Sequence, residues 1–304
     1  MITSGFDMNN FDMNNNELIL VLNCVEGNIQ VVLGETQPVN IPVNIPVNIN
    51  GVGSFKQNLL YTSTWSGGSQ GVEKLAPNLS FAFEQVGRNI QELTKIGVIC
   101  GAGSFTGIRL GLTTASALKR STNAKLSGLV FSDCLAYSLE ECLPENSVLA
   151  VVCAARTNLV YLNIFQKLGN KLTLLTEQIP LVLSTEQTVE KIQTVLTAQK
   201  IKLSLKGLPL YFVGSALLKS REIFQTAFSD ATLLSADYNL PSPYILLNLA
   251  FNAKVEDEDL EPLYLRSSDA EDNIGQIAKG LGLDPLEAEK KLNQLKNSVE
   301  HIES

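Results

Sequence analysis

The chain has 304 residues, enough for one large or two small domains, and its 45% hydrophobic and 18% charged residues are ordinary for a globular protein. A formal net charge of −8 argues against unaided binding to a nucleic-acid backbone, although a basic partner could still bring a nucleic acid to the protein. The five cysteines are scattered through apolar runs, which is typical of buried, reduced thiols. With no signal-peptide pattern and no apolar run of membrane-spanning length, the sequence predicts a cytoplasmic protein that does not contact membranes.

Histidine is almost absent, since the chain contains only His301. One histidine cannot form a two-histidine metal site, and a Ser-His or Cys-His catalytic pair is not expected either. Together with the dispersed cysteines, this predicts no zinc or iron centre, no resident cofactor and no catalytic residue. Magnesium sites built from carboxylates alone are left open.

The first elements in chain order are a low-complexity tail and a hairpin. Residues 1–16 hold a tandem Phe-Asp-Met-Asn-Asn repeat that cannot build a core, which predicts a disordered tail. Two apolar runs around a glycine-containing turn predict a β-hairpin over residues 18–33. Residues 37–71 carry three Pro-Val-Asn-Ile copies and then a polar stretch, which predicts a surface insertion, with an edge strand near Tyr61 left open.

A helix is predicted over residues 71–87, because apolar side chains recur there at helical spacing. Leu75, Leu79 and Phe83 form its apolar stripe, which suits a core contact or a contact with another helix.

The most informative segment is the glycine turn of residues 101–111, Gly-Ala-Gly-Ser-Phe-Thr-Gly-Ile-Arg-Leu-Gly, which lies between a predicted strand and a predicted helix rich in small residues. Its spacing, G-x-G-x-x-x-G, is one residue too long for the dinucleotide fingerprint, and no Lys-Ser or Lys-Thr pair follows the last glycine as in a P-loop. Two interpretations stay open: a tight turn that feeds a packed helix, or a phosphate contact at the helix N-terminus. The candidate anion-binding residues are Gly103, Ser104, Thr106 and Arg109.

Strands and helices alternate in the second half of the chain, which is typical of an α/β fold. Strands are predicted at residues 126–131, 148–153, 159–165, 172–175 and 210–213, and helices at 185–199, 217–228 and after Asp284. Two hairpin-led halves predict a first lobe at 17–125 (with the 37–71 insertion), a second lobe at 126–266 and a helical tail at 267–304. An apolar stripe in that tail would cover either its own domain or a partner helix: Leu292, Leu295, Val299 and Ile302.

The glycine turn resembles the G-P-G-S-F-T-G-[LIV]-R-x-G signature of the TsaB (YeaZ) proteins, the dimerisation subunits of the bacterial machinery that makes threonylcarbamoyladenosine on tRNA. Leu75-Ala76-Pro77 resembles the family's L-x-P helix, and Ala155-Arg156 with Val160-Tyr161 resembles its D-A-R-x-x-E-V-Y hairpin. Residues 261–266, Glu-Pro-Leu-Tyr-Leu-Arg, resemble the P-x-Y-L-R that closes the domain. The resemblance runs from about residue 17 to residue 266 in the expected order.

The resemblance implies a two-lobed actin-like α/β fold, as in actin, sugar kinases and heat-shock ATPases. It also implies the TsaD-type catalytic paralogue and the TsaE-type ATPase as partners, a homodimer as an alternative assembly, and tRNA bound only through the complex. In the family, the L-x-P helix and the helix after the glycine signature pack against TsaD or a second copy. Carried over, the interface residues are Leu75, Pro77, Leu79, Phe83, Thr106, Leu110, Thr114, Ala117 and Leu118.

Departures from the family pattern remove polar groups. Asn23-Cys24 stands where the family begins its hairpin with Asp-Thr, and Ala154 and Leu159 replace an aspartate and a glutamate in the second hairpin. Gly71 replaces the histidine that opens the L-x-P helix. An amide oxygen is a poorer ligand than a carboxylate for phosphate-bound magnesium, so these changes argue against independent ATP hydrolysis.

The sequence therefore favours a non-catalytic subunit that pairs with and activates a TsaD-type enzyme. A free-standing actin-like ATPase or phosphotransferase, with Arg109 and Ser104 on phosphate, is the alternative. A metal-dependent glycoprotease is disfavoured because that chemistry needs a histidine pair.

Overall fold

The computed structural model describes residues 16–38, 55–67, 71–177, 179–204, 207–263, 265, 274–287 and 290–291. The predicted tail at 1–16, most of the Pro-Val-Asn-Ile segment and the stripe from Leu292 to Ile302 therefore lie outside the described residues, apart from residue 16. Clustering of contacts divides the chain into a large unit, residues 1–263, and a small unit, residues 264–304.

The large unit is built on two sheets. The first sheet has the order β3-β2-β1-β4-β5, and the second has the order β11-β10-β6-β7-β8 with β9 also paired to β7. The first-sheet strands are β1 (Glu17–Asn23), β2 (Asn28–Pro38), β3 (Phe55–Ser66), β4 (Leu93–Gly101) and β5 (Lys125–Val130). The second-sheet strands are β6 (Val148–Arg156), β7 (Leu159–Leu168), β8 (Lys171–Leu174), β9 (Leu181–Ser184), β10 (Leu210–Val213) and β11 (Thr232–Leu233).

The described part of the large unit contains the α-helices α1 (Gly71–Val86), α2 (Phe105–Thr122), α3 (Phe131–Leu139), α4 (Thr185–Leu203), α5 (Leu217–Ala227) and α6 (Pro243–Asn252). In the small unit, α7 (Ile274–Gly280) precedes a helical turn at which the Asp284 carboxylate accepts from the Leu286 N–H at 2.9 Å. That contact confirms the predicted cap at Asp284.

The two predicted hairpins are confirmed, since β1 pairs with β2 and β6 pairs with β7, both antiparallel. Within the predicted insertion at 37–71, the edge strand that the sequence left open near Tyr61 is confirmed. Residues 55–66 form β3, which pairs along almost the whole of β2 and is an edge strand of the first sheet. Its long alternating pattern was obscured by the proline repeats that precede it.

The lobe boundary predicted at residue 126 falls inside β5, which pairs with β4 in the first sheet. The chain also returns to that sheet near its end, because α6 packs against it. A Cβ on Gly34 would lie 2.4 Å from Leu247, and one on Gly97 would lie 2.5 Å from the Ala250 side chain. The two glycines therefore let α6 approach the strands closely.

A buried lysine fixes the end of α6. The Lys95 ammonium donates to the Phe251 carbonyl at 2.7 Å and to the Ala253 carbonyl at 2.8 Å. Burial lowers the pKa of Lys95 to about 8. The two hydrogen bonds satisfy carbonyls at the end of α6 that no N–H of the helix can reach. They also place the positive charge of Lys95 at the negative end of the helix dipole.

We expect Lys95→Met to lower the free energy of unfolding by about 2 kcal/mol, because it removes two charged hydrogen bonds and leaves the carbonyls unpaired. Urea denaturation followed by circular dichroism measures the change. Lys191→Met, at an exposed position of α4, is the matched control and should stay within about 0.5 kcal/mol of the unmodified chain. Equal effects of the two substitutions would contradict the capping role.

Candidate partner-binding face and the junction between the sheets

The helices α1 and α2 lie on the same face of the first sheet. Directly paired residues on neighbouring strands point to the same face, and one such row is Ser63, Val31, Leu22 and Val98. Ser63 donates to Asn78 of α1 at 2.8 Å, and a Cβ on Gly111 of α2 would meet Val98 at 3.2 Å. The opposite face of the sheet receives α6.

Three of the predicted interface residues are turned inward. Leu75, Leu79 and Phe83 are each at most 5% exposed and belong to the core under α1. Helical spacing of four residues places these three side chains on the stripe that packs against β2 and β3, and their position at or near a partner interface stays a prediction.

The outer surface of α1 carries other apolar side chains. Val72 is 52% exposed and Phe81 is 49% exposed, and the predicted residue Pro77 is also exposed. Phe81 meets the Tyr61 ring edge-on, with 6.3 Å between centroids, so aromatic surface continues from α1 onto β3. Val72 and Phe81 are absent from the interface residues predicted from the sequence. Their positions on α1, outside the stripe that faces the core, are the sequence feature that could have identified them.

The remaining interface residues form one stripe along α2. Thr106 and Ala117 are exposed, whereas Leu110, Thr114 and Leu118 are partly buried. The Thr114 hydroxyl donates to the Leu110 carbonyl at 2.8 Å, so its hydrogen-bond donor is already used. The stripe carries one exposed small residue, Ala117, toward the C-terminal end of α2.

The glycine turn packs against the chain itself. A Cβ on Gly107 would lie 1.9 Å from the Cys24 carbonyl oxygen, and one on Gly103 would lie 2.6 Å from Val25. Both glycines therefore let the start of α2 touch the connection between β1 and β2. These contacts favour the first interpretation of the glycine segment, a tight turn that feeds a packed helix, over a phosphate contact at the helix N-terminus.

Two of the other candidate anion-binding residues, Ser104 and Arg109, have partners of their own. The Ser104 hydroxyl caps α2 by accepting from the Gly107 N–H at 3.2 Å. The Arg109 guanidinium lies 3.9 Å above the Phe105 ring, on the exposed side of the helix, while Gly103 is buried. The four residues are close in sequence but face different surroundings.

Asn23, at the position where the resemblance expects an aspartate, is fully buried at the junction between the sheets. Its amide donates to the Gln30 side chain at 3.3 Å and its oxygen accepts from the Val25 N–H at 3.2 Å. Gln30 in turn donates to the Pro241 carbonyl at 3.0 Å, which ties β2 to the segment before α6.

Two acidic residues that sequence reasoning missed have strongly shifted pKa values. Burial raises the pKa of Glu26, in the β1–β2 turn, to about 7 and that of Asp133, in the first turn of α3, to about 7. The Asp133 Oδ1 atom is buried and has no hydrogen-bond partner among the described residues. No local pattern marks either residue, because burial by distant segments causes both shifts.

Comparison with known protein families identifies the family of this chain. Residues 69–274 match the family model described as TsaD: tRNA N6-adenosine threonylcarbamoyltransferase, which is more than half of the chain. The chain belongs to the TsaD family. A search of curated proteins finds no significant sequence match.

Two solved structures are similar to this chain in fold. An uncharacterised Pseudomonas aeruginosa protein with similarity to the peptidase YEAZ superposes with a TM-score of 0.58 at 16% identity, over 82% of this chain and 100% of that one. YeaZ from Pseudomonas aeruginosa superposes with a TM-score of 0.51 at 15% identity, over 77% of this chain and 91% of that one.

The family match and the YeaZ-like fold support the TsaB (YeaZ) resemblance, and the two-sheet α/β architecture predicted from the sequence is confirmed. Within the described residues, no helix has both the length and the apolar character needed to cross a bilayer.

Proposed function

We propose that this protein is a non-catalytic, cytoplasmic subunit that pairs with a TsaD-type paralogue and activates it for threonylcarbamoyladenosine formation on tRNA. The observation that carries the proposal is the joint face of α1 and α2. Val72 and Phe81 on α1 and the Ala117 stripe on α2 offer apolar and small side chains on one side of the first sheet.

The net charge of −8 supports an indirect role in tRNA binding. A chain of this charge repels a phosphate backbone, so the basic surface that holds tRNA would belong to the paralogue. The TsaE-type ATPase completes the proposed assembly, and a homodimer through the same face is the resting form if the paralogue is absent.

The absence of catalysis is part of the proposal, and the junction between the sheets supports it. The Asn23 amide donates to the Gln30 side chain, which in turn donates to the Pro241 carbonyl, and Ala154 offers no acidic group.

Reconstitution tests the proposal directly. The purified chain, the TsaD-type paralogue and the TsaE-type ATPase of the same organism are mixed with tRNA, ATP and the threonylcarbamoyl donor, and modified adenosine is measured by mass spectrometry. We expect modification to require this chain. Equal modification without it, or ATP turnover by this chain alone, would contradict the proposal.

A further inference from the structure

The helices α4 and α5 pack on one face of the second sheet and contact each other. Ile192 and Leu196 of α4 and Phe224 of α5 belong to one buried cluster with the strands beneath them. The Phe224 ring lies 5.2 Å, centroid to centroid, from the ring of Phe212 in β10. These contacts use the inner sides of both helices, so their outer sides are the ones that can meet another molecule.

A groove of about 620 Å³ lies between the outer sides of the two helices. Its apolar lining comes from Val189 of α4, which also packs against the core cluster, and from Ile223 and Ala227 of α5. Ile223 is 45% exposed, although isoleucine is one of the residue types that are most often buried. The groove therefore offers apolar surface to an apolar side chain of another molecule.

The charged residues of the lining are all acidic. Glu186 and Glu190 of α4 and Glu222 of α5 line the groove, and no lysine or arginine does. All three glutamates are exposed, and none of them forms an ion pair with a cation of the described residues. Glu186 and Glu190 also stand four residues apart on one helix, where like charges repel each other. A cation placed in the groove would relieve that repulsion.

The apolar and acidic parts of the lining together define the chemistry of an occupant. A helix that turns apolar side chains toward Val189 and Ile223, with lysine or arginine beside them, matches both parts. The long apolar stem of a lysine can lie on Ile223 while its ammonium group reaches a glutamate. A groove between two helices also suits a third helix, because its side chains pack between the ridges of the other two.

The charge of the groove argues against other classes of occupant. A nucleic-acid backbone and an anionic membrane surface are both negative, so the three glutamates repel them. A purely apolar segment would cover the glutamates without giving them a counter-charge, which costs free energy. A helix that is both apolar and basic avoids both penalties.

We propose that the groove between α4 and α5 is a docking site for a basic amphipathic helix of a partner protein. The site is separate from the joint face of α1 and α2, because it lies on the second sheet and those helices lie on the first. The protein can therefore hold a second partner beside the paralogue. The proposal does not depend on which protein binds α1 and α2.

A synthetic peptide tests the docking site in the full chain. The probe has about 18 residues, leucine and lysine in amphipathic order, which gives about five helical turns, and its binding is measured by fluorescence anisotropy. We expect binding that weakens about fivefold between about 0.05 M and about 0.5 M sodium chloride, because salt screens exposed charges. A leucine and glutamate peptide of the same pattern should not bind.

Charge reversals in the groove locate the binding site. Glu190→Lys and Glu222→Lys should each weaken binding of the lysine peptide by about tenfold or more, because each places like charge against the peptide. Glu84→Lys, at an exposed position of α1, changes the net charge of the chain equally and is the matched control. It should bind the peptide like the unmodified chain.

The apolar part of the groove is tested separately. Ile223→Ser should weaken binding of the lysine peptide about tenfold, because the peptide then buries less apolar surface. Leu218→Ser removes another exposed apolar side chain of α5, one that does not line the groove, and should leave binding unchanged. Both positions are exposed, so the fold tolerates the substitutions, and circular dichroism checks this.

Binding that the groove substitutions leave unchanged, or that Glu84→Lys and Leu218→Ser weaken equally, would overturn the proposal. Tighter binding of phosphatidylserine vesicles or of polyuridine RNA than of the lysine peptide would do so as well. A homodimer that Ile223→Ser dissociates in light scattering would show that a second copy occupies the groove instead. The TsaD-type paralogue is absent from all these measurements, so their failure is distinct from a failure of the proposed function.

Discussion

Replacing Gly107 by alanine is expected to lower the free energy of unfolding by about 3 kcal/mol or more, although alanine is the better helix former by about 1 kcal/mol. Gly107 lies inside α2, so helix propensity alone predicts a stabilising change. A Cβ at this position would lie 1.9 Å from the Cys24 carbonyl oxygen and 2.7 Å from the Ser104 hydroxyl. The obstacle is main chain, which cannot rotate away, so the start of α2 must separate from the β1–β2 connection.

Urea denaturation of the Gly107→Ala variant measures this effect. Thr113→Ala, at an exposed position of the same helix, is the control and should change the free energy of unfolding by no more than about 0.5 kcal/mol. A Gly107→Ala variant as stable as the unmodified chain would show that the glycine signature is not required for close packing.

Ala117→Arg is expected to weaken binding to the TsaD-type paralogue by at least about 100-fold while leaving the melting temperature nearly unchanged. Ala117 is exposed in the isolated chain, so arginine is harmless there. In a close contact between helices, the same side chain would add bulk and an unpaired charge to a desolvated surface.

The matched control places the same substitution on another helix. Ala198 is an exposed alanine of α4 in the second half of the chain, and Ala198→Arg should bind the paralogue like the unmodified protein. Calorimetric titration of the paralogue with the unmodified chain, with Ala117→Arg and with Ala198→Arg measures the difference in affinity. Equal weakening by both arginines would indicate a general charge effect, and normal binding by Ala117→Arg would place the interface elsewhere.

Local patterns were sufficient where a strong periodic or turn signal existed. The two hairpins, α1 and the capped start of α2 follow from alternation, helical spacing and the glycine turn, and the structure confirms them. Ser104, directly before the helix, is the residue that caps it.

Elements without such signals were missed. The helix α3 follows β5 with no polar break, and its N-cap, Val130, makes no side-chain capping bond. The helix α6 is apolar over much of its length, with Leu246, Leu247, Ala250 and Phe251 all buried, so periodicity could not distinguish it from a buried strand. Both are defined by packing against the sheets rather than by their own sequences.

The candidate partner-binding face also has some features that local sequence patterns predict and others that they do not. Sequence reasoning placed α1 and α2 together, but it could not separate the inward stripe of Leu75 from the outward side chains of Val72 and Phe81. Glu26 carried no signal at all, because the burial that raises its pKa comes from the folded chain and not from a local pattern.

The position of α6 on the first sheet has a consequence for synthesis at the ribosome. Residues 17–38 and 93–130 supply strands of that sheet early, but the helix that covers its second face ends only at Asn252. Until about five-sixths of the polypeptide has emerged, Ile19, Val21 and the glycines beside them remain open to water on that side. The nascent protein therefore passes through a long stage in which an apolar face of the sheet is uncovered, and we expect its amino-terminal half to aggregate when expressed alone.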